Sequence, residues 1–201
     1  MIAYKQTFPN SCGAASLMCA AIENGVLNIP ANEALHPLWV GEHAINPRGD
    51  RHSEVMIYAV TCGAIGAPTN NSGYSLPSKI AAAAKALGLT TIAFVPQTVT
   101  GNLLLALYNT EQVDALQIGM LLKRNAAPLP EHNQRLLKIL RVGSATSWLP
   151  ATGLHYVMQR PDLSIMDPAV GQNFPDLTLA IQAHQANGIF YEDTGLAILV
   201  A

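Results

Sequence analysis

The segment Cys12–Glu23, CGAASLMCAAIE, constrains this chain more than any other stretch. Ala14, Ala15, Leu17, Met18, Ala20, Ala21 and Ile22 give it helical character and leave it apolar on nearly every side. An amphipathic helix can lie on a surface, but one that is apolar all round has to be covered. The rest of the chain must therefore wrap it. Asn10 and Ser11 offer N-cap oxygens before it, and Asn24-Gly25 is a usual C-terminal stop.

The remaining segments predict what does the wrapping. Residues 28–75 are irregular, with Pro30, Pro37, Pro47 and Pro68, and with one short helix over about Ser53–Thr61. So long a loop inside a compact domain is often functional. Ser75–Gly88 predicts a second helix, capped by Ser75, with Pro77 in its first turn and Gly88 at its end. Thr90–Val95 reads as a strand stopped by Pro96, and Asn102–Asn109 as a helix. Ala115–Leu122 fits a helix or a buried strand equally. After the break at Pro128-Leu129-Pro130, Glu131–Arg141 predicts a short helix, with Lys138 and Arg141 on a solvated face.

The last third changes character. Leu154–Gln159 and Leu163–Met166 flank Arg160-Pro161-Asp162, which is a hairpin signal. Asp176–Ala186 predicts a helix and Gly195–Val200 a closing strand. Helices first and strands later predict an α+β fold, with an antiparallel sheet packed on the buried helix. No repeat, linker or charge block divides the chain, so residues 1–201 read as a single domain.

Composition excludes several functions. Charged residues make up 12% of the chain, against roughly 25% in a typical domain. With 11 Lys+Arg against 13 Asp+Glu there is no basic excess for phosphate neutralisation, so nucleic acid is not an expected partner. Half the residues are hydrophobic, yet uncharged stretches such as Val55–Ser78 are broken by Gly, Pro and Asn. No run reaches the ~18 apolar residues of a spanning helix, so no membrane partner is expected. The first residues lack the order of a signal peptide. A cytoplasmic protein is expected, or one exported by a specialised route without a cleavable signal. Three cysteines do not make a disulfide framework, and Cys19 and Cys62 read as structural thiols. His36, His43 and His52 lie too far apart for a compact zinc pattern and read as loop histidines, so neither metal nor cofactor is expected.

Chemistry concentrates on four residues. Cys12 opens the buried helix, where backbone N–H groups and the helix dipole favour an anion, here a thiolate nucleophile. Gly13 leaves the backbone there accessible, and the Cys12 N–H can donate to an oxyanion. Gln6, six residues earlier, can supply a second, uncharged donor. His155 opens a rigid apolar strand, and Asp167 ends the next one, so a hairpin makes them neighbours. Asp167 could then accept from one ring nitrogen and leave the other facing Cys12. Each residue has a structural alternative: a buried thiol, a loop amide, a satisfied core histidine, an Asp-Pro turn. Trp39 and Trp148 flank loops, either lining a substrate groove or covering the core edge.

Gln6-x5-Cys12-Gly13, then His155-Tyr156-Val157, then Asp167-Pro168 resembles the papain-like cysteine peptidases. It is most similar to the branch that removes double-glycine leader peptides from bacteriocins, and to that branch's free-standing relatives. Ser75–Phe94 is similar to the family's helix, Gly-Leu and strand. The extra length at 28–75 and 100–150 departs from the family, so its substrate specificity does not carry over. The resemblance implies a papain-like fold, with Cys12 as nucleophile, His155 as base, Asp167 as orienting acid and Gln6 in the oxyanion hole. It implies cleavage of an amide bond in a peptide or protein substrate, through an acyl-enzyme. The same parts would serve glutamine deamidation or acyl transfer in an effector, toxin or biosynthetic enzyme. A binding module without turnover is a further class, but it would be expected to have lost Cys12 or His155. The apolar excess leaves an apolar groove or a homo-oligomer interface as an open inference.

Overall fold

The computed structural model describes residues 1–107, 109–144 and 153–201. Helix α1 spans Cys12–Glu23, as its composition predicts, and every residue from Cys12 to Ala21 is buried. Its ends obey local chemistry in part. Asn24 and Gly25, the latter at φ +83°, close it. Ser11 occupies the N-cap without capping, because its hydroxyl donates to the buried Glu54 carboxylate at 2.6 Å.

Glu54 belongs to α2, Arg51–Thr61, whose own N-cap Asp50 accepts from the Ser53 N–H at 2.8 Å. Ahead of it, a two-residue ladder pairs β1, Asn28–Ile29, with β2, His43–Ala44. Helix α3 spans Pro77–Ala86 with Leu76 at its N-cap. Ser75 does not cap it; its hydroxyl pairs with that of Thr61 at 2.9 Å.

The large sheet comprises β3 (Thr91–Phe94), β4 (Leu121–Lys123), β5 (Arg135–Ser144), β6 (Gly153–Gln159), β7 (Ile165–Asp167), β8 (Gln172–Phe174) and β9 (Ile189–Val200). Its order is β4-β3-β9-β5-β6-β7-β8, antiparallel except for the β3–β4 pair. Helices α4, Val99–Leu107, and α5, Asn109–Gln117, connect β3 to β4. The ambiguous segment Ala115–Leu122 thus splits, ending one helix and starting one strand.

The sheet buries both faces. On one, Leu137, Ile139, Tyr156, Met158 and Ile198 pack with α1, α2 and α3 in the main core. On the other, Leu140, Val157, Ile165 and Tyr191 pack against Ala180 of α6, Leu177–Gln185. This two-sided burial explains one overturned expectation. Glu131–Arg141 is not a helix; the chain enters strand β5 at Arg135. Apolar side chains on both faces erase the alternation that marks a half-buried strand, so the run imitates a helix. Nor do Lys138 and Arg141 form a solvated helix face: across the β5–β9 pair they meet Asp193 and Glu192 as ion pairs. The predicted α+β class is the observed one.

Candidate active site

The ladder between β6 and β7 is short, with Met158 facing Met166 and Gln159 facing Ile165. Beyond Met158 that edge of β6 is taken over by α1. The Tyr156 N–H donates to the Cys12 sulfur at 3.4 Å, and the Ser16 hydroxyl donates to the Tyr156 carbonyl at 3.4 Å. Cys12 and Ser16 are one helical turn apart, so a single face of α1 docks on a single strand residue. The thiol is thereby held at a sheet edge, with 3% of Cys12 exposed.

The hairpin predicted around Arg160–Asp162 forms, closed by Arg160 N–H to the Ser164 carbonyl at 3.0 Å. Continuing its register sets Asp167 opposite Val157, diagonal to His155 and on the same face. His155 Nε2 meets Asp167 Oδ1 at 2.9 Å. The other ring nitrogen is left for Cys12, whose sulfur lies near enough to favour charge on the ring. The structure therefore brings Cys12, His155 and Asp167 together. Burial opposes charge on the His155 ring, but the nearby Cys12 sulfur and the bond to Asp167 outweigh it and push its pKa up to about 10. Burial likewise opposes charge on Asp167, yet hydrogen bonds from His155 and His184 hold its carboxyl well below the usual range.

His184 is the member that sequence reasoning missed. It sits in the last turn of α6, buried, with Nε2 2.7 Å from Asp167 Oδ2. A signal existed. Leu177, Ala180, Ile181 and His184 follow the i, i+3, i+4, i+7 spacing of a buried face. A polar ring at a core position needs a partner.

Gln6 lies on the loop entering α1, fixed by its own N–H to the Pro168 carbonyl at 2.8 Å, one residue beyond Asp167. Its side-chain nitrogen donates to the carbonyls of Phe8 and Pro9 at 2.8 and 2.9 Å, while Oε1 is buried without a partner among the described residues. Glu54 anchors the same loop. It accepts from the Thr7 N–H at 2.8 Å, the Tyr4 hydroxyl at 2.8 Å, Ser11 and the Thr7 hydroxyl. All these donors are neutral groups. Gly13 is buried, not accessible as expected: a Cβ there would lie 2.5 Å from Ser75 Cβ. Glycine is needed for close packing.

A cavity of about 550 Å³ opens beside Cys12. Tyr74, Leu103, Met120, Ile139 and Leu154 give it mostly apolar walls, and Glu111 and Arg141 also line it. This apolar hollow accounts for part of the chain's hydrophobic excess. Cys62, half-buried, shares the lining, whereas Cys19 is core and burial pushes its pKa up to about 12. Trp39 is also core, its indole N–H donating to the Met56 carbonyl at 2.9 Å; Trp148 lies outside the described residues. Among the described residues, no three or more His, Cys, Asp or Glu side chains gather as a metal site, and no helix is long and apolar enough to cross a membrane. His36 Nε2 is bonded to the Ala64 carbonyl, and His43 packs on the His52 ring with centroids 4.3 Å apart.

Comparison with known proteins identifies a cysteine protease family. The family model described as "Invasion plasmid antigen J, cysteine protease" matches residues 4–201. Cysteine protease IpaJ of Shigella flexneri is 31% identical over 208 aligned positions, covering 99% of this chain and 78% of the relative. No solved structure matches the chain significantly. A match across nearly the whole length means that this chain belongs to the invasion plasmid antigen J cysteine protease family, and is a bacterial cysteine peptidase.

Proposed function

We propose that this peptidase hydrolyses a peptide bond through Cys12, His155 and Asp167, with an apolar group of the substrate in the cavity beside Cys12. The observation that carries the reading is the buried Asp167 bonded to His155, with the Cys12 thiol near that ring and at the cavity wall. The Cys12 thiolate attacks the carbonyl carbon, and the carbonyl electron pair moves to oxygen. His155 gives its proton to the departing amine, leaving a thioester. Water then attacks the thioester, His155 takes its proton, and the acid product leaves as Cys12 is restored.

The oxyanion would be met by the Cys12 N–H, which precedes the first helical hydrogen bond, and by the Gln6 amide. Both hydrogens of that amide face the Phe8 and Pro9 carbonyls, so Gln6 serves the oxyanion only after the amide turns. Deamidation and acyl transfer would use the same parts; membership of a protease family favours hydrolysis. The order of Gln6, Cys12, His155 and Asp167, with the thiol at a helix start against a sheet, supports a papain-like fold. The narrower likeness to leader peptidases rests on those motifs alone.

The test is a peptide library digested by the full chain and read by mass spectrometry. Cleavage should require Cys12 and His155 and should select an apolar residue or group next to the cut. Undiminished cleavage by Cys12→Ala would end the proposal.

A further inference from the structure

We propose that His184 is a positioning residue for this reaction: its ring clamps the Asp167 carboxylate, so that the orienting acid is held between two histidines. The inference rests on the triad reading above and extends it by one residue. Asp167 has no exposed surface, and its oxygens divide their work. Oδ1 accepts from His155 at 2.9 Å and from the Ala169 N–H at 2.9 Å. Oδ2 accepts from His184 at 2.7 Å. Without His184, Oδ2 loses the donor it has among the described residues, and a buried acceptor left unmet is costly. The carboxylate would also lose one of the three hydrogen bonds that fix its rotation. Rotation about the Cβ–Cγ bond would carry Oδ1 out of line with His155.

The clamp is itself held rigidly. His184 rides on α6, which Asp176 caps at 2.8 Å and whose Ala180 packs under β6 and β7. Its ring stacks on Tyr191 at 4.2 Å between centroids and 27° between planes. Tyr191 also lies beside His155, with ring centroids 5.3 Å apart. One tyrosine of β9 therefore contacts both imidazoles. A neutral His184 is enough for the role, since one Nε2–H suffices to donate. His184 is buried with its Nε2 on the Asp167 carboxylate, so it acts through Asp167 and not on substrate.

Two substitutions separate positioning from packing. His184→Phe keeps a ring for Tyr191 and removes the donor, whereas His184→Gln keeps an N–H donor. The readout is the rate of iodoacetamide alkylation at Cys12, by peptide mapping of the full chain near neutral pH. The expectation is at least a tenfold slower rate for His184→Phe and a rate within about threefold of wild type for His184→Gln. With a cleaved library peptide, kcat should fall in His184→Phe while KM holds. Equal rates in wild type and His184→Phe overturn the proposal, as does an equal loss in both variants.

Should His184→Phe fail to fold, nitrogen-15 NMR of histidine-labelled wild type decides. A solvent-protected proton on His184 Nε2 is expected, and a ring protonated only on Nδ1 refutes the clamp. The triad reading fails separately: His155→Ala would then leave Cys12 alkylation unchanged. If His155→Ala slows alkylation and His184→Phe does not, only the role of His184 falls.

Discussion

The N–H of Tyr156 points at the sulfur of Cys12 across 3.4 Å, two residues before the Met158–Met166 pair of β6 and β7. This contact joins the two halves of the site. Cys12 comes from the first helix, and His155, the neighbour of Tyr156, comes from a strand more than a hundred residues later. The helix start thus lies within reach of the imidazole through one strand residue.

The elevated His155 pKa has a direct consequence for activity. Because it is pushed up to about 10, the ring keeps its proton through neutral and mildly alkaline pH. The kcat/KM profile should hold into the alkaline range and fall as pH rises through about 10. Asp167→Asn removes the charge that favours the imidazolium, so its alkaline limb should lie at lower pH. A limb near the ordinary histidine range of about 6.5 in the wild type would contradict this.

Glu54 should matter beyond its distance from the chemistry. Its carboxylate is the common acceptor for Tyr4, Thr7 and Ser11, and so fixes the loop that carries Gln6. Glu54→Gln places an N–H among groups that are all donors. Urea unfolding should show a loss of about 1–3 kcal/mol, with reduced kcat/KM. Unchanged stability and activity would show that the loop is held by other means.

Gly13 and Ser75 should be coupled. Gly13→Ala drives a methyl against Ser75 and should cost about 1–3 kcal/mol. Ser75→Gly in the same chain should recover much of that loss, although it gives up the bond to Thr61. Additive losses in the double variant would place the strain elsewhere.

Away from the site, Glu23 ties the chain ends of several elements together. Arg160 bonds it at 2.7 Å and Arg135 at 2.7 Å, and Ile2 N–H adds a third donor at 3.1 Å. Arg160→Met strands part of a nearly buried charge and should cost about 3 kcal/mol by urea unfolding. Burial opposes charge on Glu23, but the two arginines win and lower its pKa. Its stabilising effect is therefore present above the ordinary carboxylate range and lost as pH falls through the lowered value. Glu23→Gln should flatten that acid limb of stability.

Much of this arrangement was readable in the chain itself. Apolar residues all round α1, the Arg160–Asp162 turn and the Asp167-Pro168 step are local signals, and local signals survive folding. The hairpin converts sequence distance into contact by simple register, which is why His155 and Asp167 could be paired in advance. Strand β5 was not readable, since its burial on both faces depends on α1 and α6 arriving from elsewhere. The same is true of Ser11, Ser75 and Gly13, whose roles are set by partners distant in sequence. Glu54 and His184 mark the instructive gap. Each occupies a buried-face position in its helix, and a polar group there signals a partner without naming it.

The central claim is that Cys12 is a nucleophile activated by His155. Its most direct measurement is competitive labelling of the full chain with limiting iodoacetamide near neutral pH, followed by mapping of Cys12, Cys19 and Cys62. Cys12 should be modified first despite being more buried than Cys62, and His155→Ala should abolish this preference while leaving Cys62 unaffected. Modification of Cys62 ahead of Cys12, or a Cys12 rate indifferent to His155→Ala, would contradict it.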